Sequence, residues 1–256
     1  MSPPFPLPLQ GERALVTGGG TGLGLAIATT LADRGATIMI TGRREAVLQE
    51  AKASDGRLET FACDAADGEA MLKAAEGSSI VVANAGASMS KPFHRMEAAD
   101  LSAMMQSNLV TVFETFRAAL PAMREKGRGR LVVVASTAGL KGYAYVSAYV
   151  AAKHAVVGLV RALALELAGR EATRGITVNA VCPGYTDTPM LQRTIGNIIE
   201  KTGRSREEAA APLLAPNPQG RFVRPEEVAD AVAWLVGPDA SAITGQAISI
   251  SGGETM

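Results

Sequence analysis

Tyr149 and Lys153 stand four residues apart in a helical pattern over 147–169, which places both side chains on one helix face. A phenol with a pKa of about 10 is a poor acid–base group at neutral pH. A neighbouring ammonium favours its phenolate, and moving the pKa by about three units takes roughly 4 kcal/mol of differential interaction. Ser136 ends the preceding apolar run, where its hydroxyl could hydrogen-bond a substrate oxygen. The three together point to proton transfer at a carbonyl or alcohol. Tyr-x-x-x-Lys alone is common on ordinary amphipathic helices, so the weight falls on what surrounds it.

A second constellation lies near the start. The run Arg13–Thr17 leads straight into Gly18-Gly19-Gly20-Thr21-Gly22-Leu23-Gly24, and a helical pattern follows. Glycines let a backbone approach a pyrophosphate closely, and a helix N-terminus offers free amides to phosphates. The spacing Gly18, Gly22, Gly24 differs from the common G-x-G-x-x-G fingerprint. Asp64, Asn84-Ala85-Gly86, Ser136 and Pro183-Gly184 each follow a later strand candidate. The carboxyl ends of strands in an open α/β sheet line its ligand crevice. The second strand candidate ends Thr41-Gly42-Arg43-Arg44, with no carboxylate for a ribose 2′-hydroxyl. Two guanidiniums suit a 2′-phosphate instead, which favours NADP over NAD.

These residues need a scaffold that repeats. Strands are predicted at Arg13–Thr17, Thr37–Thr41, Leu58–Ala62, Ile80–Ala83, Leu131–Ala135, Ile176–Val181 and Ala247–Ile250. Helical patterns cover 22–34, 44–53, 67–76, 98–126, 147–169 and 225–236. Such alternation implies right-handed crossovers and an α/β, doubly wound, Rossmann-type parallel sheet of about seven strands in one domain. Residues 1–10 read as a flexible Pro-rich tail, 11–256 as the dinucleotide-binding and catalytic domain, and 191–220 as an insertion that serves as a substrate lid.

Composition sets the outer bounds. Apolar residues make up 47%, and 25 basic residues balance 25 acidic ones, so charge offers no reason for a nucleic-acid partner. Neither a signal-peptide pattern nor a continuous apolar run of about 18 residues is present, which fits a cytoplasmic protein without a membrane partner. Cys63 and Cys182 read as structural thiols, and no cluster has metal-ligand spacing.

Over nearly its whole length the chain resembles the short-chain dehydrogenase/reductase family. The resemblance rests on Thr17-Gly18-x-x-x-Gly22-x-Gly24, Asn84-Ala85-Gly86, Asn108, Ser136, Tyr149-x-x-x-Lys153 and Pro183-Gly184. It implies an oxidoreductase that moves a hydride between NAD(P) and a carbonyl or secondary alcohol, usually as a homotetramer. It also implies roles: Tyr149 as proton donor or acceptor, Lys153 tuning it and holding the nicotinamide ribose, Ser136 on the substrate oxygen, and Asn108 anchoring a relay water. The cofactor would meet the turn from Gly18 to Gly24, Thr21 and Leu23 included. It would also meet Arg43, Arg44, Asp64 at the adenine, Asn84 at the adenosine ribose, Gly86, Pro183, Gly184 and Thr188 at the nicotinamide amide. Thr21 stands where NADP-preferring relatives often carry a basic residue, so the cofactor choice rests on the two arginines. Within the family the stretch 178–185, the lid and the closing Gly245–Gly253 look most like 3-oxoacyl thioester reductases, polyketide ketoreductases and 3-hydroxyacyl-CoA dehydrogenases. The alternatives are a dehydrogenase of a sugar, steroid or alicyclic alcohol, and a non-catalytic dinucleotide sensor. Tyr143 and Tyr145 line the substrate pocket or pack their loop, and Lys141 reads as a solvated loop lysine.

Overall fold

The computed structural model describes residues 7–256. Seven strands form one parallel sheet: β1 (Arg13–Thr17), β2 (Thr37–Gly42), β3 (Leu58–Ala62), β4 (Ile80–Ala83), β5 (Arg128–Val134), β6 (Gly175–Pro183) and β7 (Ala247–Ile250). Their order across the sheet is β3-β2-β1-β4-β5-β6-β7. The order reverses between β1 and β4, and that reversal opens a crevice at the strands' carboxyl ends.

The pleat sends alternate residues to opposite faces. Ala14 and Val16 of β1 join one core with α1 (Gly22–Asp33) and α9 (Pro225–Val236). Leu15 joins the other core with α3 (Gly68–Ala74), α5 (Thr111–Lys126) and α6 (Ser147–Ala168). Because both faces are covered, β4 is buried at all four positions, which is why it reads as an unbroken apolar run. The short α2 (Glu45–Ser54) follows β2 and packs on β3, with only Leu48 and Ala51 buried.

Several expectations need correction. The prolines at 3, 4 and 6 of the expected tail lie outside the described residues. Residues 7–10 are not a loose tail: Leu9 is buried in the first core and its amide donates to the Arg34 carbonyl. β5 begins at Arg128 rather than Leu131, because Arg128 and Arg130 hide the start of a strand that pairs residue by residue with Gly175–Val181. The continuous helix expected over 98–126 is broken. α4 (Ala98–Met105) and α5 are separated by a π-turn at Gln106–Val110. The 191–220 segment holds two helices, α7 (Pro189–Thr202) and α8 (Arg206–Leu214), joined by a small core of their own around Leu191, Ile195 and Ala209. α6 is long and apolar enough to cross a membrane by length and composition, although no continuous apolar run exists. Its buried face packs on the second core from Val156 through Val160 to Leu167, and on a small cluster with Met104 through Ala148 and Ala152.

Asn179 is a polar residue in the middle of β6 and is fully buried. Its amide donates to the Ile243 carbonyl at 2.7 Å, and its side-chain oxygen accepts from the Gln246 amide at 3.1 Å. It thereby fixes the connection that delivers β7 to the sheet. Asn179→Leu keeps the branched shape but takes the partner from the Ile243 carbonyl and the Gln246 amide, which should cost about 1–3 kcal/mol. Urea unfolding of the two proteins checks this; a loss under about 1 kcal/mol would mean that the connection repairs itself.

Candidate active site

The Gly-rich turn is built by close approach. Gly18 and Gly22 adopt φ of +64° and +53°, a left-handed conformation that side chains rarely adopt. A Cβ on Gly24 would run into the Gly18 carbonyl and the Asn84 amide. Asn84 explains the geometry: its Nδ2 donates to the carbonyls of Thr17 and Gly18 at 3.0 and 3.2 Å, while Thr17 Oγ1 accepts from the amides of Asn84 and Ala85. Asn84 therefore ties the end of β4 to the turn after β1 across the sheet's reversal point. Thr21 is the exposed N-cap of α1, and its side chain makes no capping bond. The amides that open α1 thus keep no side-chain partner from the cap, and with the side-chain-free turn they form a cradle that fits a pyrophosphate. Leu23 packs beneath it against the first core.

Arg43 and Arg44 follow β2 and are exposed; among the described residues neither forms a salt bridge. Asp64 is exposed after β3, and its carboxylate accepts from the Ala66 amide at 3.0 Å, a turn-forming bond. Pro183 ends β6, and Gly184 donates to the Ile250 carbonyl. Thr188 caps α7, with its hydroxyl oxygen 3.4 Å from the Leu191 amide. The start of α7 lies against the Gly-rich turn: a Cβ on Gly22 would stand 3.3 Å from Pro189 Cδ.

Tyr149, Lys153, Ser136 and Asn108 come together at the carboxyl ends of β4 and β5. Lys153 Nζ is buried and donates to the Val134 carbonyl at 3.0 Å. It also lies over the Tyr149 ring, 5.7 Å from its centre. The Ser136 hydroxyl lies by the Tyr149 hydroxyl, and its Oγ accepts from the Ala138 amide at 3.1 Å. The expected electrostatic balance is overturned in the protein alone. Burial pushes the Tyr149 phenol up to about 12, against the opposing pull of the Ser136 hydrogen bond. Burial likewise pushes the Lys153 ammonium down to about 8. The dry setting penalises both charges, so Tyr149 holds its proton throughout the neutral range.

Asn108 sits in the π-turn and is fully buried. Its Nδ2 donates to the carbonyls of Ala87 and Met104, at 2.9 and 3.0 Å. The second bond spans four residues back along its own helix, and neighbouring Ser107 and Thr111 make similar backbone bonds. These bonds compete with the helical ladder where it widens. Asn108 Oδ1 is left buried without a partner, beside Gly86: a Cβ on Gly86 would be 2.8 Å from it and 3.8 Å from Lys153 Nζ. An orphan acceptor so close to an ammonium suits a proton-relay water.

The residues alone did not reveal the Val134 and Ala87 carbonyls, which carry no sequence signal, nor Tyr185, whose phenol acts on Tyr149 through space. Tyr143 packs inward on Thr137, at 2.6 Å between their hydroxyl oxygens, while Tyr145 is 66% exposed in a left-handed conformation. Lys141 is not simply solvated; it pairs with Glu254 at 3.2 Å.

Comparison with known proteins matches this arrangement. A family model described as short chain dehydrogenase matches residues 12–197. A D-beta-hydroxybutyrate dehydrogenase of Rhizobium meliloti is 36% identical, over 95% of this chain and 98% of the relative. A 3-oxoacyl-(acyl-carrier-protein) reductase of Vibrio cholerae is also 36% identical, over 97% and 99%. Among solved structures, a variant of actinorhodin polyketide ketoreductase with NADPH superposes with a TM-score of 0.87 at 36% identity, covering 95% of this chain and 97% of that one. An Agrobacterium tumefaciens protein provisionally described as a gluconate dehydrogenase also gives 0.87, at 30% identity, with 98% of both chains covered.

The depressed Lys153 pKa has a measurable sign. The unfolded lysine holds its proton to about pH 10.5, while the folded one starts to release it near 8. Folding therefore carries a penalty below pH 8 that is relieved as pH rises toward 10.5. The wild type should gain about 1 kcal/mol relative to Lys153→Met between pH 8 and pH 9. Parallel denaturation curves at the two pH values check this; a constant difference would place the lysine's pKa near its ordinary value.

Proposed function

This chain belongs to the short-chain dehydrogenase family of NAD(P)-dependent carbonyl and alcohol oxidoreductases, and from that premise we propose that it reduces 3-oxoacyl thioesters to 3-hydroxyacyl thioesters, or runs the reverse reaction, with NADP preferred over NAD. The observation that carries the chemical assignment is the grouping of half-buried Tyr149 and Ser136 with buried Lys153 at the crevice. The substrate class rests on the relatives' names, since a fold alone carries no substrate. The cofactor supplies the hydride in reduction and accepts it in oxidation.

In the reducing direction Tyr149 donates its proton to the substrate oxygen, and Ser136 hydrogen-bonds that same oxygen. A phenol raised by burial is suited to keep its proton until the oxygen becomes basic. Lys153 in its ammonium form stabilises the phenolate left behind and holds the nicotinamide ribose. The orphan Oδ1 of Asn108 anchors a water that returns a proton through Lys153. On the cofactor side, Gly18, Thr21, Gly22, Leu23 and Gly24 receive the pyrophosphate. Asp64, Asn84 and Gly86 flank the adenosine half, and Pro183, Gly184 and Thr188 the nicotinamide. For Asn84 the contact falls to its carbonyl oxygen or its backbone, because its amide hydrogens are already committed to the turn. The separate small core of α7 and α8 supports the reading of 191–220 as a lid that excludes water. Exposed Phe113 on α5 and Leu165 on α6 offer apolar surface for assembly into a homotetramer. The reading is completed by a cytoplasmic location and a small-molecule partner. The gluconate dehydrogenase likeness keeps a sugar alcohol as the second reading, and a panel of ketones and alcohols followed by nicotinamide absorbance separates the two.

Tyr149→Phe should abolish turnover while leaving cofactor affinity within about twofold, because only the phenolic oxygen transfers the proton. A variant that kept most of its kcat would refute the mechanism.

Cofactor choice is tested at the end of β2. A side chain at Gly42 would meet only Leu48 Cδ2, at 3.6 Å, so a carboxylate fits there without displacing anything. Arg43→Ala should cost about ten- to a hundredfold in NADP affinity, the equivalent of one charge-assisted hydrogen bond of about 1.5–3 kcal/mol. Adding Gly42→Asp should turn preference toward NAD. Titration of both cofactors into the three proteins decides it, and tighter binding of NAD than NADP by the wild type would overturn the NADP assignment.

A further inference from the structure

A small third cluster includes the reacting phenol itself. Met104 of α4 and Ala148 and Ala152 of α6 are buried at its centre. Met89, Met96, Met105 and the Tyr149 ring pack on that centre and are only half-buried. Its composition differs from that of the two main cores. Those are built chiefly from Val, Leu, Ile and Ala, whereas this cluster holds no Leu, Ile or Val. Four of the chain's ten methionines gather in it, around the one side chain of the cluster that does chemistry. Branched side chains with few rotamers specify a fixed core. The flexible, polarisable thioether of methionine instead adapts to the apolar shape it meets.

The segment 86–97, which carries Met89 and Met96, leaves the carboxyl end of β4 and is tied to the reacting groups near both of its ends. Asn108 Nδ2 donates to the Ala87 carbonyl at 2.9 Å. The Ser147 hydroxyl lies 3.6 Å from Met96 Sδ, two residues before Tyr149. Between these ties the Lys91 amide donates to the Tyr145 carbonyl at 2.7 Å, and Lys91 Nζ pairs with Asp100 of α4 at 2.6 Å. Tyr145 is the one non-glycine residue with a left-handed backbone among the described residues, at φ +68°. A bulky side chain in that conformation is strained, and such strain persists where the surroundings over-determine it, often at ligand sites. The chain accepts that strain where it holds a methionine-bearing segment beside Tyr149.

We propose that Met89 and Met96, together with Met105, form an apolar-chain subsite that makes this site favour 3-oxoacyl substrates carrying several chain methylenes over the shortest one. The proposal rests on the reading of Tyr149 as the reacting phenol and of a 3-oxoacyl compound as its substrate. With the 3-oxo group at Tyr149, the alkyl chain beyond it leaves water for the half-buried thioethers. Each methylene buried there raises kcat/KM by up to about fourfold.

The test compares kcat/KM for ethyl 3-oxooctanoate with that for ethyl 3-oxobutanoate, using NADPH and NADH, in the full-length enzyme. The longer ester should be favoured at least about tenfold by the wild type. Met89→Ser and Met96→Ser should each cut that ratio at least about fivefold, while Met89→Leu, which keeps an apolar side chain, should hold it within about twofold. Damage to the fold would depress both esters alike and leave the ratio in place. A second readout does not depend on turnover. Ethyl 3-oxooctanoate with oxidised cofactor, which has no hydride to give, should slow the oxidation of Met89 and Met96 to sulfoxides by hydrogen peroxide at least about threefold, read by mass spectrometry. Exposed Met256 at the chain end serves as the unprotected control. A wild type without preference for the longer ester, serine variants that move the ratio less than about twofold, or methionines oxidised as fast with the ester as without it would each overturn the subsite and leave the oxidoreductase reading intact. A wild type that reduces neither ester with either cofactor overturns both.

Discussion

Lys153 donates to the Val134 carbonyl from a position almost without solvent. An ammonium so placed is costly unless its surroundings are held fixed, because a small shift would leave it without a partner. The surroundings are fixed from several sides. β5 pairs with both β4 and β6 through the positions that lead to Val134. The turn after Ser136 lies so close to α6 that a Cβ on Gly139 would be 2.9 Å from the Lys153 carbonyl. α6 buries Val156 and Val160 against the second core, and Ala152 against Met104 of α4. The positions of Tyr149 and Lys153 are therefore set by the packing of a long helix on a sheet, more than by the loop that precedes it.

The same economy governs the cofactor end. Asn84 spends its two amide hydrogens on the carbonyls of Thr17 and Gly18, so one side chain joins β1 and β4 at the point where the sheet order reverses. The crevice there and the group around Tyr149 lie on one edge because every strand is parallel. The N-terminus of α7, at Thr188 and Pro189, lies against Gly22, so the segment after β6 meets the Gly-rich turn.

Much of this was legible from residue order. β1, β3, β4 and β7 fall where predicted; β1 and β4 are covered on both faces and read as apolar runs, while β3 and β7 are only partly buried and are marked by short β-branched or alternating stretches. Tyr149 and Lys153 share a face because helical spacing requires it. What escaped were features made by backbone atoms and distant partners. The Val134 carbonyl has no side-chain signature. Arg128 and Arg130 disguised the start of β5, since charged residues mark surface in a one-dimensional reading. The sign of the electrostatics also escaped: spacing brings an ammonium to a phenol, but depth decides whether either is charged, and burial wins at both. Glu254 was hidden because its partners, Lys141 and Tyr143, lie more than a hundred residues earlier in the chain.

The π-turn at Gln106–Val110 also fixes a phase. One extra residue in a helix rotates everything after it by about 100°. Downstream, Val112, Phe116, Ala119 and Met123 form the stripe that α5 buries against the sheet, while Phe113 points outward. That stripe meets the core only because the turn is wide. Closing the turn to α geometry with every residue kept would swing the stripe toward solvent, whereas a one-residue deletion would remove the widening that holds Asn108 and leave the stripe in phase. The widened turn thus absorbs one residue without disturbing the buried stripe that follows it.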